Sequence, residues 1–443
     1  MQHPQEDKVA LDHKRDVDLT QDPDFRPDSR EDFRQDFRQD LRRRLRLAIR
    51  IAARTVQFLG EDGFGGSDLP EGNFAAEKPL AETAMLLHIA GRHAAHPGIR
   101  HAIDALLGEL LPYARSRQMH WDVARYPAVC LQLATPHIIL STFGHPDESF
   151  DTLLAQSWSA SARPGHEVVP YRELEIGWLL ALWLDDPPGP DFAQVARKTA
   201  LGNAIDLLNG TREDAYAHTH AVMYFTDFGN WQMRLPRPRE EFLDESAAVL
   251  ARALVVEDYD LAAEALMAWP LLSSAWSPAA AFGFRVVASL EDKVGFLPAG
   301  RSAASQLLRL SGQDKTKCAL ATSYHTAYVM GMLCAVALKA GMASPFAIPS
   351  SCYPNTVAAD LYARIPKTGA HWEQVFERLV ASEQAALAPF LLDVALMQAS
   401  RRSDAAEMAD LLRLAVTHGM ANTTLCAQAA EFLARLGALV GGR

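Results

Sequence analysis

The sequence predicts an all-α fold built from helical hairpins. Beyond residue 74, apolar side chains recur every three or four positions, which is the period of an α-helix. The alternation of apolar and polar residues that is typical of a β-strand is nearly absent. Apolar segments recur at intervals of roughly 40–65 residues, as expected for a two-helix repeat with loops of variable length. These segments are 80–90, 130–142, 171–184, 214–225, 260–272, 324–338 and 385–398.

The N-terminal residues predict a tail, an entry helix and a linker before this body. Residues 1–30 are polar and too poor in apolar side chains to pack, so we expect a disordered tail. Within 31–73, an apolar stripe repeats every four residues, and a Gly-rich linker follows at 60–72. The basic run 42–44 is expected on the solvated face of this helix, although it could also contact a membrane or nucleic acid. The helical body is then 74–443. The stripe consists of Phe33, Phe37, Leu41, Leu45 and Ile49.

Composition and charge exclude several classes of protein. With 443 residues, 49% of them hydrophobic, the chain can bury one large core or two ordinary ones. Its longest apolar run, 176–184, is shorter than the roughly 20 residues of a membrane span, and no signal-peptide pattern opens the chain. We therefore expect a cytoplasmic protein without a membrane partner. The net charge of −11 argues against nucleic acid, and five scattered cysteines without a Cys-x-x-Cys pair exclude a disulfide framework.

The segment 314–334 carries the most specific motif of the chain. An Asp-Lys pair is followed by Tyr-His-Thr, an aromatic residue and a glycine, so that His325 lies near the start of an apolar helix. This order resembles a metal-site segment in the β subunits of protein prenyltransferases, which share a toroid of helical hairpins with terpene cyclases. The resemblance implies an α/α toroid and makes His325 a metal ligand. An open α-solenoid is the alternative architecture, because the same periodicity would serve the stacking of repeats. The matching residues are Asp314, Lys315, Tyr324, His325, Thr326, Tyr328 and Gly331.

The resemblance also implies further metal ligands. In the prenyltransferase pattern, an aspartate and a cysteine two residues apart precede the histidine at a similar distance. Here Asp258 and Asp260 precede His325 by 67 and 65 residues, so a carboxylate replaces the cysteine. Two carboxylates and one imidazole suit a divalent metal ion such as zinc, iron or manganese. The alternative is that Asp258 caps a helix while Asp260 lies in its first turn.

Two further polar groups near the helix starts are candidates for catalysis. Asp214 and His218 are four residues apart, so on a helix the carboxylate could orient the imidazole as a ligand or base. His220 points to another face, so we expect only one of the two histidines at the site, the other being buried and hydrogen-bonded. Arg172 and Glu175 would form an ordinary intrahelical pair, or the guanidinium would hold a carboxylate or diphosphate.

Aromatic and charged side chains near these helices predict substrate contacts. We expect Tyr324, Tyr328, Lys315 and Asp227 to bind substrate, although most aromatic residues would equally serve as core. The acidic motifs of terpene cyclases are absent. The sequence also lacks the motifs of protein kinases, serine hydrolases and zincin metalloproteases.

Two functions remain open at the level of sequence. The first is a metal-dependent enzyme with an apolar central cavity, acting on a small biosynthetic intermediate, an isoprenoid or a peptide. The second is a non-catalytic helical-repeat protein that binds a partner protein or peptide. The chain itself, as a homo-oligomer, is a further candidate partner. The two functions differ in whether the polar helix starts converge.

Overall fold

Helices make up every regular element of the described chain. Pairing between extended segments is limited, in these ranges, to one isolated bridge between Asp258 and Gly300. The all-α prediction is therefore confirmed. The predicted tail 1–30 and linker 60–72 lie outside the described residues. The computed structural model describes residues 37–59, 77–161, 167–339, 341–350 and 353–441.

The predicted apolar segments each coincide with one helix or with two consecutive helices. None of the helices in the described ranges is long and apolar enough to cross a bilayer. The α-helices are α1 (Phe37–Gln57), α2 (Glu77–Gly91), α3 (Pro97–Ala114), α4 (Arg117–Arg125), α5 (Cys130–Leu133), α6 (Thr135–Thr142), α7 (Glu148–Ser161), α8 (Pro170–Leu184), α9 (Pro190–Lys198), α10 (Arg212–Phe225), α11 (Arg239–Val255), α12 (Tyr259–Leu266), α13 (Ala268–Leu271), α14 (Pro278–Val294), α15 (Arg301–Leu307), α16 (Gly312–Thr322), α17 (Tyr324–Ala337), α18 (Asn355–Arg364), α19 (His371–Phe376), α20 (Ala381–Ala386), α21 (Ala388–Arg401), α22 (Ala405–Thr417) and α23 (Thr424–Gly441).

Six of these helices contact one another in a closed cycle. Helix α2 packs against α6, α6 against α8, α8 against α10, α10 against α12, α12 against α17, and α17 against α2. All six come from apolar segments of the sequence, and a helix that is apolar on every side is stable only when neighbours surround it. In α17 every residue except His325 is buried. The cycle therefore forms the centre of the described fold.

The remaining helices pack outside this cycle. Helix α1 lies against α17 and α3, α9 against α8, and α11 and α14 against α12. The C-terminal helices add a further layer, in which α21 packs against α11 and α19 against α14. Helices α8 and α12 are thus covered by neighbours in sequence, as expected for helical hairpins, whereas α17 is covered by the entry helix α1 from the other end of the chain.

The entry helix α1 buries a charged residue as well as Leu41, Leu45 and Ile49 of its predicted stripe, whose first member, Phe33, lies outside the described residues. Arg44 belongs to the basic run that the sequence places on a solvated face, yet only 2% of its side chain is exposed. Its guanidinium pairs with Glu291, with Asp292 at 2.9 Å and with Asp40 at 2.7 Å. This part of the prediction is wrong because acidic side chains of α14 meet α1, a long-range contact that compensates the buried charge.

The glycine of the sequence motif allows α1 to approach α17. A Cβ atom on Gly331 would lie 2.3 Å from the Cβ of Ala48, which is far inside van der Waals contact. Both helices are packed on several sides, so neither can move away without losing contacts elsewhere. Gly331 therefore has a packing role.

We expect Gly331→Ala to lower the free energy of unfolding by about 1–3 kcal/mol through overpacking. The matched control is Gly108→Ala on α3, where an added Cβ meets nothing within 4 Å. There alanine should stabilise by up to about 1 kcal/mol, because it is the better helix former. Chemical denaturation of both variants measures the difference. Equal effects at the two glycines would contradict the close approach.

Candidate functional site

Three side chains that can bind a metal ion meet at the starts of α12 and α17. Each of Asp260, Glu264 and His325 offers one atom, and these atoms all lie within 4.8 Å of one another. Asp260 and Glu264 are four residues apart on α12, so their carboxylates share a face. His325 is the second residue of α17, which packs against α12. We call these three residues the donor group.

A third helix contributes a carboxylate to the other side of the imidazole. The Nδ1 atom of His325 lies 3.0 Å from Glu82 of α2, and its Nε2 atom lies 3.4 Å from Asp260. Both ring nitrogens therefore face carboxylates. This is the arrangement in which a metal-binding histidine is oriented by a carboxylate on its second nitrogen.

Hydroxyl groups hold the two carboxylates of the donor group in place. Tyr216 donates to Asp260 at 2.6 Å, and Thr326 donates to the other oxygen of Asp260 at 3.2 Å. Thr219 donates to Glu264 at 2.6 Å. Because α10 supplies Tyr216 and Thr219, it packs its first two turns against the acidic face of α12. The carboxylates are thus fixed from a neighbouring helix.

The acidic side chains of this cluster determine the charge of the imidazole. Burial disfavours the charged form of His325, but Asp260 and Glu82 outweigh burial and raise the pKa of the imidazole to about 10. Burial also raises the pKa of Glu264, an effect that His220 partly offsets. Three carboxylates around one imidazole require positive charge, which a proton or a metal ion can supply.

His220 lies beside the donor group. Its Nδ1 atom donates to the carbonyl oxygen of Tyr216 at 2.9 Å and lies 3.7 Å from Glu264. A donating Nδ1 leaves Nε2 as the basic nitrogen of a neutral ring. The side chain is 21% exposed, so solvent and small molecules can reach it.

Two arginines form the exposed rim of the cluster. Arg172 binds both oxygens of Glu175, at 2.8 and 3.0 Å, and Arg212 binds Asp258 at 2.5 and 3.1 Å. The two arginine side chains are 46% and 51% exposed. Asp258 also accepts from the backbone N–H of Leu261 and so caps α12. It lies outside the donor group, as in the capping alternative drawn from the sequence.

The structure separates His218 from this cluster. Its Nε2 atom pairs with Ser246 at 2.9 Å, and its ring stacks on Phe242 at 4.1 Å, on the side of α10 that faces α11. Asp214 does not orient His218, because its carboxylate closes a capping box with Thr211. Of the two histidines, His220 is the one beside the donor group.

The pKa of His218 makes stability depend on pH. Burial, followed by the charge of Arg237, lowers this pKa to about 3. An unfolded chain binds a proton near pH 6.5, so between these values the unfolded state takes up the extra proton and acid destabilises the fold. We expect the free energy of unfolding to fall between pH 7 and pH 5, by up to about 1.4 kcal/mol per pH unit from this residue.

Chemical denaturation of His218→Gln at both pH values tests this linkage. Glutamine cannot take up the proton, so the loss of stability on acidification should be smaller than in the wild type. His101→Gln, at an exposed position on α3, is the control and should keep the wild-type dependence. A His218→Gln variant with an unchanged dependence would rule out the buried neutral imidazole as its source.

The predicted substrate-binding residues have different environments. Tyr324 is 2% exposed, with its ring centre 6.4 Å from that of His325. Tyr328 lies deeper, and its hydroxyl accepts from Thr83 at 3.2 Å. Lys315 donates to the carbonyl oxygen of Val294 at 3.1 Å. Of these three residues, Tyr324 is the one whose side chain contacts a member of the donor group.

Asp227 lies in the loop after the C-terminal end of α10. Its carboxylate contacts His88 at 2.7 Å, Trp178 at 2.7 Å, Asn230 at 2.9 Å and Arg92 at 3.2 Å. Its backbone has a left-handed φ of 45°, which aspartate tolerates better than most residues. Asp227 is 1% exposed and links the end of α2 and the middle of α8 to the loop after α10.

An aromatic layer lies between these two polar ends of the helix cycle. The rings of Trp178 and Tyr224 are 5.4 Å apart, and Phe228 packs edge-on against both. Tyr224 donates to Glu175 at 2.9 Å, whereas Trp178 donates to Asp227. The Tyr224 hydroxyl therefore points to the end with the donor group, and the Trp178 N–H points to the end with Asp227. The rings between them separate the two polar clusters.

Sequence reasoning missed Glu264 as a member of the donor group. The signal was present, because Glu264 is an acidic residue in the otherwise apolar stretch 261–266 and lies one turn after Asp260. Glu82 is an acidic residue in the apolar helix α2, but nothing in the sequence identifies its partner. His325 and Asp260 are brought together as the resemblance implied.

Comparison with known proteins gives a family and no function. The sequence model of the DUF6895 family, a domain of unknown function, matches residues 45–335, which reach from α1 into α17 and include the donor group. No curated protein matches the chain, and no solved structure does. The matched segment covers more than half of the sequence, so the chain belongs to the DUF6895 family.

Proposed function

We propose that this protein is a divalent-metal-dependent enzyme that acts on a small biosynthetic intermediate. The observation that carries this proposal is the donor group of Asp260, Glu264 and His325, whose atoms lie within 4.8 Å of one another. Each donor has a supporting partner on another helix, which is how metal ligands are oriented in proteins. The resemblance of the α17 segment to a metal-site sequence points to the same histidine.

The residues present fit a metal ion with oxygen and nitrogen ligands. Two carboxylates and the Nε2 atom of His325 would hold zinc, iron or manganese, while Glu82 would accept the proton of Nδ1. When bound there, a divalent ion would polarise a substrate oxygen or activate a water molecule. Tyr216 and Thr219 would keep the carboxylates in position, because their hydroxyls already donate to them.

His220 is the residue we assign to proton transfer. Its Nδ1 atom is occupied by the carbonyl oxygen of Tyr216, so Nε2 can accept a proton from a bound substrate. Glu264, 3.7 Å away, would stabilise the imidazolium that results. The aromatic layer of Trp178 and Tyr224 limits access of water from the opposite end of the helix cycle.

The convergence of the helix starts favours an enzyme over a binding protein. A helical-repeat binding protein requires only stacking and caps at these positions, whereas here titratable groups from α2, α10, α12 and α17 lie within contact distance. We further propose that the closed cycle of helices is the inner ring of an α/α toroid. The contacts between successive members of the cycle support this architecture.

Metal content of the purified, untagged protein tests the proposal. We expect about one equivalent of metal by plasma mass spectrometry in the wild type, and loss in His325→Ala and Glu264→Gln. Asp258→Asn is the matched control, because Asp258 lies outside the donor group and asparagine also caps helices well. Absence of metal in the wild type, even after anaerobic reconstitution with zinc, iron and manganese, would refute the proposal. Equal loss in Asp258→Asn and Glu264→Gln would refute the donor assignment.

A further inference from the structure

We infer that Arg172 and Arg212 form a clamp for a substrate that carries a single carboxylate. This inference rests on the proposed function, because the clamp lies beside the donor group that would perform the chemistry. It adds a substrate class, for which the donor group alone gives no indication.

Aromatic rings hold both guanidinium groups in place. The Cζ atom of Arg172 lies 5.2 Å from the ring centre of Tyr171, and that of Arg212 lies 4.4 Å from the ring centre of Tyr216. Both tyrosine rings are within 6 Å of the ring of His220. Two arginine–tyrosine pairs therefore flank the residue assigned to proton transfer. Because these contacts order the long side chains in advance, less entropy is lost when a ligand binds.

Each guanidinium keeps donors for a ligand. Arg172 uses Nη1 for Glu175, and Arg212 uses Nε and Nη2 for Asp258. Among the hydrogen bonds of the described residues, none engages Nε and Nη2 of Arg172 or Nη1 of Arg212. Both side chains are about half exposed, at 46% and 51%. Guanidinium N–H groups bind carboxylates through strong, charge-assisted hydrogen bonds.

The charge of the surroundings limits how many negative charges a ligand can carry. With a divalent ion bound, the two guanidiniums and Lys78, whose ammonium lies 3.8 Å from Glu82, balance the five carboxylates around the site. A diphosphate would add at least two uncompensated negative charges, whereas a carboxylate adds only one. The five carboxylates are those of Glu82, Glu175, Asp258, Asp260 and Glu264.

Ligand-observed NMR titration tests this inference on the protein as isolated. The probes are benzoate, its neutral analogue benzamide, and pyrophosphate. We expect benzoate to bind with a millimolar Kd, as fits so small a ligand, and more tightly than either other probe. Arg172→Gln and Arg212→Gln should each weaken benzoate binding by about tenfold. Arg125→Gln is the matched control, because Arg125 stands over Tyr126 in the same way on α4, outside the helix cycle, and should change nothing.

Three results would overturn the clamp: no benzoate binding, equal or tighter binding of benzamide or pyrophosphate, or unchanged binding in both arginine variants. The comparison of probes on the wild type does not depend on how the variants fold. Metal content measured in the same samples keeps the two proposals apart. A protein that contains metal but fails these tests loses only the clamp, and a metal-free protein that passes them loses only the metal-dependent function.

Discussion

Replacement of Asp227 by alanine is expected to lower the free energy of unfolding by about 3–5 kcal/mol, the cost of breaking a buried ion pair. The carboxylate is 1% exposed and is contacted by His88, Arg92 and Trp178. Its removal would leave the indole N–H of Trp178 without its acceptor. It would also take away the negative charge beside Arg92, which keeps its hydrogen bonds to the backbone carbonyl oxygens of Asp227 and Phe228. Alanine also tolerates the left-handed backbone of this position less well than aspartate. Chemical denaturation measures the loss.

Asp227→Asn is the informative second variant. Asparagine keeps an acceptor oxygen and tolerates the left-handed φ of 45°, so it removes mainly the charge and should cost clearly less than alanine. The sequence predicted Asp227 as a substrate-binding residue. If Asp227→Ala were as stable as the wild type, the network around the carboxylate would contribute nothing, and a role in substrate binding would gain weight.

Local patterns in the sequence were sufficient to locate the apolar helices, whereas the more polar helices between them were expected without bounds. The apolar period placed a helix at 324–338, and the structure begins α17 at Tyr324 and ends it at Ala337. The pattern was informative here because each of these segments is an apolar stretch of helical length, bounded by turn residues. The entry helix was also found by its stripe, but the burial of Arg44 was not, because its acidic partners lie almost 250 positions later in the chain.

The spacing of the acidic residues on α12 decides which of them can belong to the donor group. Asp258 and Asp260 are two residues apart, so on a helix they cannot face the same point, whereas Asp260 and Glu264 are four apart and can. The resemblance favoured the pair in which one carboxylate replaces a cysteine. The structure instead places Asp258 at the cap of α12, paired with Arg212, and Glu264 beside His325.

Contacts between site residues that lie far apart in the chain could not be predicted from the sequence. Glu82 and His325 are separated by 243 positions, and no spacing rule connects them. The same holds for Tyr216 and Asp260, whose hydrogen bond depends on α10 lying next to α12. Which helix starts converge follows from the order of packing around the cycle, which local periodicity does not reveal.

The contact between Glu82 and His325 leads to the prediction with the largest expected effect on metal affinity after loss of a donor. We expect Glu82→Gln to weaken metal binding by about 10–100-fold while leaving the stoichiometry at saturating metal unchanged. Glu82 of α2 lies 3.0 Å from Nδ1 of His325, on the side of the ring opposite Asp260. Glutamine can still accept a hydrogen bond, but it removes the negative charge that makes the imidazole a better ligand.

Competition with a chromophoric chelator measures this affinity for the wild type and the variant. Glu213→Gln, at an exposed position in the first turn of α10, is the control for removing one negative charge near the site. A long-range electrostatic effect would weaken metal binding in both variants, because each of them removes one negative charge. A specific loss in Glu82→Gln instead requires contact with His325. Unchanged affinity in Glu82→Gln would mean that the ring is oriented by α17 and Asp260 alone, and that α2 contributes only packing to the site.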